Sequence, residues 1–266
     1  MSDPLDEKLE IARDIMRSKK VLVAFSGGVD STALASLAKD VSERVLLLTV
    51  NSPTVPSIEK ATAREVAVEL GLDHEEVDVD WLGNEELTEN PKNRCYICKK
   101  QLAQIWSIVA HQKGLDIVVE GSNATEMQGY RPGAVALKEV GIQSPLLEAG
   151  LTKNEIRQYL KLKGISVAES PSMACMATRF PYGTKVTQEK LDMVEKIECA
   201  VMEIFDVKTV RARYHGGIVR IEIGSDEREK IFDLEKLDRI HSIGKSIGFT
   251  HITFDAKGYR TGSMDE

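Results

Sequence analysis

The chain has 266 residues, of which 42% are hydrophobic and 29% charged, and these ordinary proportions favour a soluble globular protein over a disordered or fibrous one. The net charge of -7 disfavours a protein that holds long nucleic acid mainly through phosphate neutralisation, although a local basic patch for tRNA stays compatible with it. The first residues lack the apolar stretch of a secretory signal, and the longest apolar runs are too short to cross a bilayer. We therefore expect a cytoplasmic protein that does not enter a membrane.

The first two thirds of the chain alternate apolar runs with segments of helical length. Continuous apolar character, typical of buried parallel strands, marks residues 19–25, 44–50 and 115–121. Helical spacing marks residues 31–39, 58–70 and 99–113. This order predicts an α/β fold with a doubly wound parallel sheet. Ligands of such sheets bind at the carboxyl ends of the strands, so a site is expected in the loops after Phe25, Val50 and Glu120.

The last third has a different pattern. Helix-like residues 151–164 are followed by an irregular stretch, 170–184, that contains two prolines. The pattern beyond it is a helix, two strands, helical material and a last strand. These elements are predicted at residues 188–205, 209–214, 218–223, 225–247 and 251–254. We predict two domains: residues 1–168 with the parallel sheet, and residues 169–266 as a smaller α/β domain for substrate binding or oligomerisation.

The first strand runs into the hexapeptide SGGVDS, residues 26–31, which opens a helix. Its glycines permit a sharp turn, and the helix N-terminus offers free N–H groups and a positive dipole end to an anion. The predicted phosphate-binding residues are Ser26, Gly27, Gly28 and Ser31, and Asp30 is placed to hold Mg²⁺ beside the phosphates. Two glycines alone would favour a plain turn with Asp30 as a helix cap, whereas the whole hexapeptide after a strand favours a phosphate site.

SGGVDS after a strand resembles the PP-loop of the ATP pyrophosphatase superfamily, whose members include GMP synthetase, NAD synthetase and several tRNA-thiolating enzymes. The resemblance implies that ATP is cleaved between its α and β phosphates. An oxygen of the substrate is then adenylylated, while pyrophosphate leaves from the loop with Mg²⁺ stabilising its charge. Residues 121–126 resemble the second nucleotide-side motif, which usually ends in two acids. Here Thr125 replaces the first acid, so a metal role would rest on Glu126. The resemblance also assigns nucleotide binding to Gly121, Asn123, Asn51 and Ser52.

Two of the four cysteines, Cys95 and Cys98, lie three positions apart in NRCYICKK. In a reducing compartment such a pair indicates metal ligands or reactive thiols rather than a disulfide. A thioredoxin-like couple is disfavoured because the pair does not open a helix after a first strand of that fold. A zinc site needs a fourth ligand, and Cys199 lies off the apolar stripe of its predicted helix, which favours an incidental thiol there.

Four runs together resemble the LarE family of sulfur transferases. They are residues 93–100, 129–153, 171–183 and 255–263. Family members adenylylate the carboxylate of a nicotinic-acid-derived pyridinium mononucleotide and convert it to a thiocarboxylate, towards the nickel-pincer cofactor of lactate racemase. The resemblance spans nearly the whole chain and implies this substrate here.

Two sulfur sources occur in that family. In one branch the cysteine of the Cys-x-Ala-[Ser/Thr]-Arg motif, here Cys175, gives up its own sulfur and becomes dehydroalanine. In the other, that cysteine joins a Cys-x-x-Cys pair to hold a [4Fe-4S] cluster, whose fourth iron can carry an extra sulfide. Cys95, Cys98 and Cys175 match the second pattern, so the resemblance implies an open cluster and a sulfide donor. A closed zinc site and a sacrificial Cys175 remain alternatives.

An anionic mononucleotide needs cationic partners, and bidentate arginine suits both phosphate and carboxylate. Arg179 and Arg260 lie within the family motifs. Arg211 and Arg213 alternate on a predicted strand, which is equally typical of a solvent-facing strand edge. Glu222, on the next strand, is placed to pair with one of them.

We predict an ATP-dependent, Fe–S-requiring sulfur transferase that acts on a small molecule and forms a homo-oligomer, with Asp30, Cys175 and Arg179 in catalysis. A tRNA thiolase with the same activation chemistry is the first alternative, disfavoured by the acidic charge and by the lack of a recognisable RNA-binding domain. The second is a protein that binds ATP and a metal without turning ATP over.

Overall fold

The computed structural model describes residues 4–125, 132–171 and 174–264. Its α-helices are α1 Pro4–Met16, α2 Val29–Val41, α3 Ser57–Leu70, α4 Glu85–Thr88, α5 Arg94–Gln112, α6 Pro132–Val140, α7 Pro145–Glu148, α8 Lys153–Leu162, α9 Gln188–Phe205 and α10 Leu234–Ile247. Its strands are β1 Lys20–Ala24, β2 Arg44–Asn51, β3 Asp73–Asp78, β4 Ile117–Val119, β5 Val210–His215, β6 Ile218–Ile223 and β7 His251–Phe254. Within the described ranges, none of the helices has the length and apolar character needed to span a membrane.

The chain divides into two compact units. The first comprises Met1–Val79 and Asn93–Met173, and the second comprises Asp80–Lys92 and Ala174–Glu266. The contiguous ranges predicted from the sequence place residues 80–92 in the first domain, whereas the structure groups them with the second unit. The physical reason is a set of hydrogen bonds: the buried Asn90 amide donates to the carbonyls of Phe180 and Pro181, and Val186 N–H donates to the Thr88 carbonyl.

A four-stranded parallel sheet of order β3-β2-β1-β4 forms the middle of the first unit. Alternate strand residues pack into two separate cores, one on each face of the sheet. Val21, Val23 and Leu47 join the core that includes residues of α1, α2 and α3, while Leu22 and Leu46 join the core that includes residues of α5. Because both faces are covered, the central strands read as continuous apolar runs, and the predicted doubly wound α/β fold is confirmed.

Strand β3 was not predicted from the sequence. It pairs in parallel with β2 along its whole length, from Leu46↔Asp73 to Asn51↔Asp78, although its sequence DHEEVD is mostly charged. As an edge strand it has one paired side, and charged side chains on an open edge discourage association with another chain. Its strand conformation therefore depends on pairing with β2 and not on an apolar run.

The second unit contains a three-stranded sheet of order β5-β6-β7, in which β5 and β6 are antiparallel and β6 and β7 are parallel. Helices α9 and α10 pack on each other and on this sheet. The buried residues of α9 recur at helical spacing, as in Leu191, Val194 and Val201. This small mixed sheet with helices confirms the predicted second α/β element set. The predicted helical segment 225–247 separates into a 3₁₀ turn, Arg228–Ile231, and α10.

Candidate functional site

The strand order of the parallel sheet reverses between β1 and β4. The chain passes from β1 to β2 and β3 on one side and then returns to β4 on the other side of β1. Loops that leave neighbouring strands in opposite directions open a crevice at the carboxyl ends, which is where ligands of such sheets bind. The loop after β1 is SGGVDS, and the loop after β4 begins at Glu120.

The SGGVDS loop is held in a conformation that requires glycine at its second position. Gly27 has φ +71°, and a Cβ there would lie 2.5 Å from the Cα of Ala63 on α3. Gly28 caps α2 without a side-chain hydrogen bond. The hydroxyls of Ser26 and Ser31 are 3.1 Å apart, and Ser31 donates to the Gly28 carbonyl at 3.2 Å. The loop is thus internally braced, and the first-turn N–H groups of α2 are left for an anion.

Asp30 connects this loop to the one after β4. The Asn123 amide donates to Asp30 Oδ1 at 3.2 Å, and Asn123 Oδ1 accepts the Thr125 N–H at 3.0 Å. A Cβ on Gly121 would lie 3.1 Å from the carbonyl carbon of Asp30, so the two loops touch backbone to backbone. Gly121 and Asn123, which the PP-loop resemblance assigned to the nucleotide, are therefore brought to Asp30 by the fold.

Lys153 is a residue of this site that sequence reasoning missed. Its Nζ lies 2.6 Å from Asp30 Oδ2, on the opposite oxygen from Asn123. It is the first residue of α8, whose cap residue Thr152 forms a capping box with Glu155. The run 129–153 ends on this lysine, but a Thr-Lys-x-Glu pattern is also an ordinary helix start, so the sequence did not separate the two roles.

The remaining nucleotide-side predictions lie at the end of β2 or outside the described residues. Asn51 donates from its amide to Asp78 Oδ1 at 2.5 Å, and the hydroxyls of buried Ser52 and Thr54 are 3.1 Å apart. Glu126, on which a second acidic metal ligand would rest, lies outside the described residues, as do residues 129–131 of the run 129–153.

Cys95 and Cys98 lie in the first two turns of α5, which begins at Arg94, earlier than the predicted start at 99. Residues three apart in a helix share one face, and these two thiols are exposed and partly exposed, respectively. Cys175 is exposed in the second unit, directly before the 3₁₀ turn Met176–Arg179. Among the described residues of each unit, no group of three or more His, Cys, Asp or Glu side chains is placed to hold a metal ion.

Cys199 belongs to a different surface. It is an exposed residue of α9, away from the helix stripe that forms the core. Partial burial of the thiol raises its pKa, and the charges of Glu195 and Glu198 raise it further. The neutral thiol is therefore favoured, which agrees with an incidental role.

Arg179 is fully buried and organises the segment that carries Cys175. Its Nε and Nη2 donate to the two oxygens of Glu198 on α9, at 2.9 and 3.2 Å, and its Nη1 donates to the Ala174 carbonyl at 2.7 Å and the Cys175 carbonyl at 3.4 Å. One guanidinium thus fixes the backbone on both sides of the cysteine. The carboxylate that Arg179 binds with two hydrogen bonds is therefore that of Glu198, a side chain of the protein itself.

Arg213 pairs with Glu222, as the sequence predicted. Two of its nitrogens donate to Glu222 Oε2 at 3.0 and 2.8 Å, and the Ser263 hydroxyl donates to Oε1 at 2.7 Å. Arg213 Nη1 also reaches the Thr178 carbonyl at 3.1 Å. Arg211 and Arg213 are only 3% and 5% exposed, so the alternative that they line a solvent-facing strand edge is wrong.

The same region contains further guanidinium groups. Arg211 lies over the Tyr259 ring, with its guanidinium carbon 5.1 Å from the centroid. Burial lowers the pKa of the Arg211 guanidinium, and the charge of Arg179 lowers it further. Among the described residues, the ion-paired groups here are Arg179, Arg213, Arg220 and Arg260 and the carboxylates Glu198, Glu222 and Asp255. Guanidinium groups are strong donors to phosphate and carboxylate, so these side chains have the chemistry that an anion requires.

Known proteins are similar to this chain, one family model over part of the first unit and several relatives over nearly the whole chain. The family model described as queuosine biosynthesis protein QueC matches residues 20–101. An uncharacterised protein of Synechocystis sp. is 34% identical over 98% of this chain and 98% of its own length. The pyridinium-3,5-bisthiocarboxylic acid mononucleotide synthase of Lactiplantibacillus plantarum is 32% identical over 93% of this chain and 90% of its own length. The chain belongs to the LarE family.

The similarity to the synthase covers more of the site than the QueC match does. The QueC match contains the nucleotide loop, Cys95 and Cys98 but ends before Cys175 and the arginine cluster. A tRNA-specific 2-thiouridylase of Phocaeicola vulgatus is 27% identical over 56% of this chain and 49% of its own length. The similarity to the pyridinium-3,5-bisthiocarboxylic acid mononucleotide synthase covers 93% of this chain and therefore extends over both units.

Proposed function

We propose that this chain is an ATP-dependent sulfur transferase that adenylylates a carboxylate of a pyridinium dicarboxylate mononucleotide and converts it to a thiocarboxylate, a step of nickel-pincer cofactor synthesis. The observation that carries the proposal is the similarity, over 93% of the chain, to a pyridinium-3,5-bisthiocarboxylic acid mononucleotide synthase. The geometry of the first unit supports it, because a braced glycine loop at the switch point of a parallel sheet suits a polyphosphate.

The nucleotide half of the reaction is assigned to the loops after β1, β2 and β4. The first-turn N–H groups of α2 and the hydroxyls of Ser26 and Ser31 bind the phosphates that leave as pyrophosphate. Gly27 allows the loop to lie against α3, and Gly28 lets the phosphates approach the backbone. Asn51 at the end of β2 is proposed on the adenine side.

A magnesium ion fits the donor chemistry of this crevice. Asp30 presents a partly exposed carboxylate beside the loop, and Asn123 braces one of its oxygens. Carboxylate and phosphate oxygens are the ligands that Mg²⁺ prefers. When bound, the ion neutralises charge on the phosphates, while the chain's own donors orient the α phosphate towards the substrate carboxylate.

The substrate's anionic groups are assigned to the second unit. Arg211, Arg213 and Arg260, with Glu222 holding Arg213 in place, supply bidentate donors for phosphate or carboxylate. Arg179 is assigned to positioning, because its hydrogen bonds hold the backbone around Cys175.

The sulfur half is assigned to Cys95, Cys98 and Cys175. The first two fit a cluster in their chemistry and in their spacing, since they share one face at the start of α5 and are accessible to solvent. Held by these three thiolates, a [4Fe-4S] cluster would keep one iron open, and the chemistry that it would supply is delivery of sulfide to the activated carbonyl. The chain contributes the thiolates and keeps them in place. An external sulfide donor is then required for turnover.

Pyrophosphate release tests the activation step. Anaerobically purified protein is incubated with MgATP, with and without pyridinium-3,5-dicarboxylate mononucleotide. We expect pyrophosphate only when the mononucleotide is present. Absence of release would leave a protein that binds ATP without turnover. If tRNA stimulated release instead, and bound with a steep salt dependence, the tRNA-thiolase alternative would be supported.

Metal analysis tests the sulfur source. Iron, sulfide and zinc are measured in wild type, in the Cys95→Ala, Cys98→Ala and Cys175→Ala variants, and in Cys199→Ala as the matched control. We expect iron and sulfide to fall in the first three variants and to stay at the wild-type level in the control. Zinc in place of iron would refute the cluster. Loss of the mass of H₂S from Cys175 after turnover would instead establish that this cysteine is the donor.

Two further expectations remain predictions. Homo-oligomerisation is checked by sedimentation velocity of the anaerobic protein, where a single monomeric species would contradict it. Cytoplasmic location is checked by fractionation of cells that express the chain.

A further inference from the structure

We propose that Lys153 is a cationic arm of the pyrophosphate site, which exchanges its contact with Asp30 for the leaving phosphates when MgATP binds. The inference rests on the function proposed for the SGGVDS loop and assigns a residue to the activation step. Its starting point is the ion pair across the crevice, in which Nζ of Lys153 lies 2.6 Å from Asp30 Oδ2.

The backbone of Lys153 is fixed at the nucleotide crevice. Its N–H donates to the Thr125 hydroxyl at 2.9 Å, and the Ala124 N–H donates to the Leu151 carbonyl at 2.9 Å. The start of α8 is therefore joined to the loop after β4. The side chain is different, because its four-carbon stem lets the ammonium move while the backbone stays in place.

The ammonium has donors to spare. A lysine ammonium donates three hydrogen bonds, and within the described part of the chain its contact is with one oxygen of Asp30. The side chains of Lys153 and Asp30 are 24% and 20% exposed, so both are reachable from the crevice. Two donors are thus available to phosphate oxygens before the contact with Asp30 is broken.

Charge explains the exchange. The carboxylate and the ammonium neutralise each other as they stand, and a carboxylate held by lysine is a weaker ligand for Mg²⁺. A Mg²⁺ ion bound with a triphosphate would be held by Asp30 in place of the ammonium, and Lys153 would then donate to the triphosphate, the strongest anion within its reach. The same two residues then serve the metal and the phosphates.

In the reaction step the bond between the α phosphorus and the bridging oxygen breaks. The electron pair stays on that oxygen as pyrophosphate forms, while the substrate carboxylate oxygen forms the new bond to the α phosphorus. Lys153 donates hydrogen bonds to the pyrophosphate, whose negative charge rises as the bond breaks. No proton or redox partner is needed.

A purely structural ion pair between α2 and α8 is the competing explanation, and the chain offers a matched control for it. Lys8 on α1 pairs with Glu155 on the same α8 at 2.7 Å, with side chains 33% and 25% exposed. The two pairs are alike in length, exposure and attachment. They differ in that only the Asp30 pair lies at the SGGVDS loop.

The test measures the binding of inorganic pyrophosphate by calorimetry to wild type, Lys153→Met, Lys153→Arg and Lys8→Met, first in EDTA and then in Mg²⁺. Without metal, we expect Lys153→Met to weaken pyrophosphate binding by roughly 10- to 100-fold, the range for losing a charge-assisted hydrogen bond. Lys153→Arg should retain most of the affinity, and Lys8→Met all of it. Urea unfolding should show similar small shifts for the two methionine variants.

Binding of Mg²⁺ alone gives a second readout that a structural role would not move in this way. Removing the competing ammonium should make Mg²⁺ bind more tightly to Lys153→Met than to wild type, opposite in sign to the pyrophosphate effect. Equal pyrophosphate affinity in wild type and Lys153→Met would overturn the role of Lys153 alone. A wild-type protein that binds neither pyrophosphate nor ATP would refute the nucleotide site itself.

Discussion

Replacing Gly27 by alanine tests whether the SGGVDS loop owes its shape to one close backbone contact. The added Cβ meets two obstacles. The residue has φ +71°, where side chains other than glycine are disfavoured, and the Cβ would lie 2.5 Å from the Cα and 2.7 Å from the backbone nitrogen of Ala63. Both of those atoms belong to the α3 backbone and cannot turn aside as a flexible side chain would.

The two obstacles have separate magnitudes. A left-handed conformation costs an alanine about 1–2 kcal/mol relative to glycine. Carbon atoms pack best at about 3.5–4.0 Å, so α3 must shift by about 1 Å, and overpacking of this kind costs a further 1–3 kcal/mol or so. We expect Gly27→Ala to lower the free energy of unfolding by about 2–5 kcal/mol. The shift also separates the loop from α3, so pyrophosphate affinity should fall.

Gly164→Ala is the matched control for the conformational part. Gly164 has φ +70°, and a Cβ there meets nothing within 4 Å. This variant should lose only the conformational cost of about 1–2 kcal/mol and bind pyrophosphate as wild type does. Urea unfolding and pyrophosphate calorimetry measure both variants. If Gly27→Ala were no less stable than Gly164→Ala, the close approach to α3 would not constrain the loop.

Three further predictions concern other sites. Gly28→Ala should fold normally, because the added Cβ would contact only the Ser26 hydroxyl oxygen, at 3.4 Å. If phosphates approach this backbone, the variant should bind pyrophosphate at least tenfold more weakly. Unchanged pyrophosphate affinity by calorimetry would contradict that approach. Arg213→Met removes two charge-assisted hydrogen bonds from one oxygen of the fully buried Glu222, whose other oxygen keeps Arg220 and Ser263, and should cost about 1.5–3 kcal/mol in urea unfolding. Arg64→Met, at a side chain 60% exposed, should shift urea unfolding little; equal losses would refute the distinction. Partial burial alone would raise the pKa of Glu155, but hydrogen bonds from the α1 lysine and the helix-cap threonine hold it at about 2, below its ordinary 4.5. The lowered pKa adds stability that is fully present above pH 4.5 and is lost as pH falls towards 2, by at most about 3.4 kcal/mol before solvent screening; a Glu155→Gln variant with the same acid dependence as wild type would refute this.

Features that depend on neighbouring residues were readable from the sequence. Continuous apolar runs predicted β1 and β2, and helical spacing predicted α9 with its bounds, because burial on one face or on both leaves a regular pattern along the chain. The SGGVDS loop was readable for the same reason. Its glycine, its helix start and its preceding strand are all within a few positions of one another.

Features that depend on distant residues were not readable. Strand β3 is defined by pairing with β2, and the charged sequence of an edge strand resembles that of a loop. The sequence left Arg211 and Arg213 divided between a solvent-facing strand and an anion site, and only the packing of the second unit showed that both are buried. Alternation along a strand shows which side chains share a face, but the tertiary structure decides which face is covered.

The sequence by itself determined the class of the chain: a parallel α/β sheet, a phosphate loop after its first strand, three cysteines in a family pattern, and arginines in matching runs. The tertiary structure alone decided which of these groups meet. Asp30 and Lys153 are 123 positions apart, yet their charges lie within hydrogen-bonding distance because β1 and β4 are neighbours in the sheet. Local sequence specifies a residue's chemistry, whereas long-range strand pairing specifies its partner, and at this site the partner determines what the residue can do.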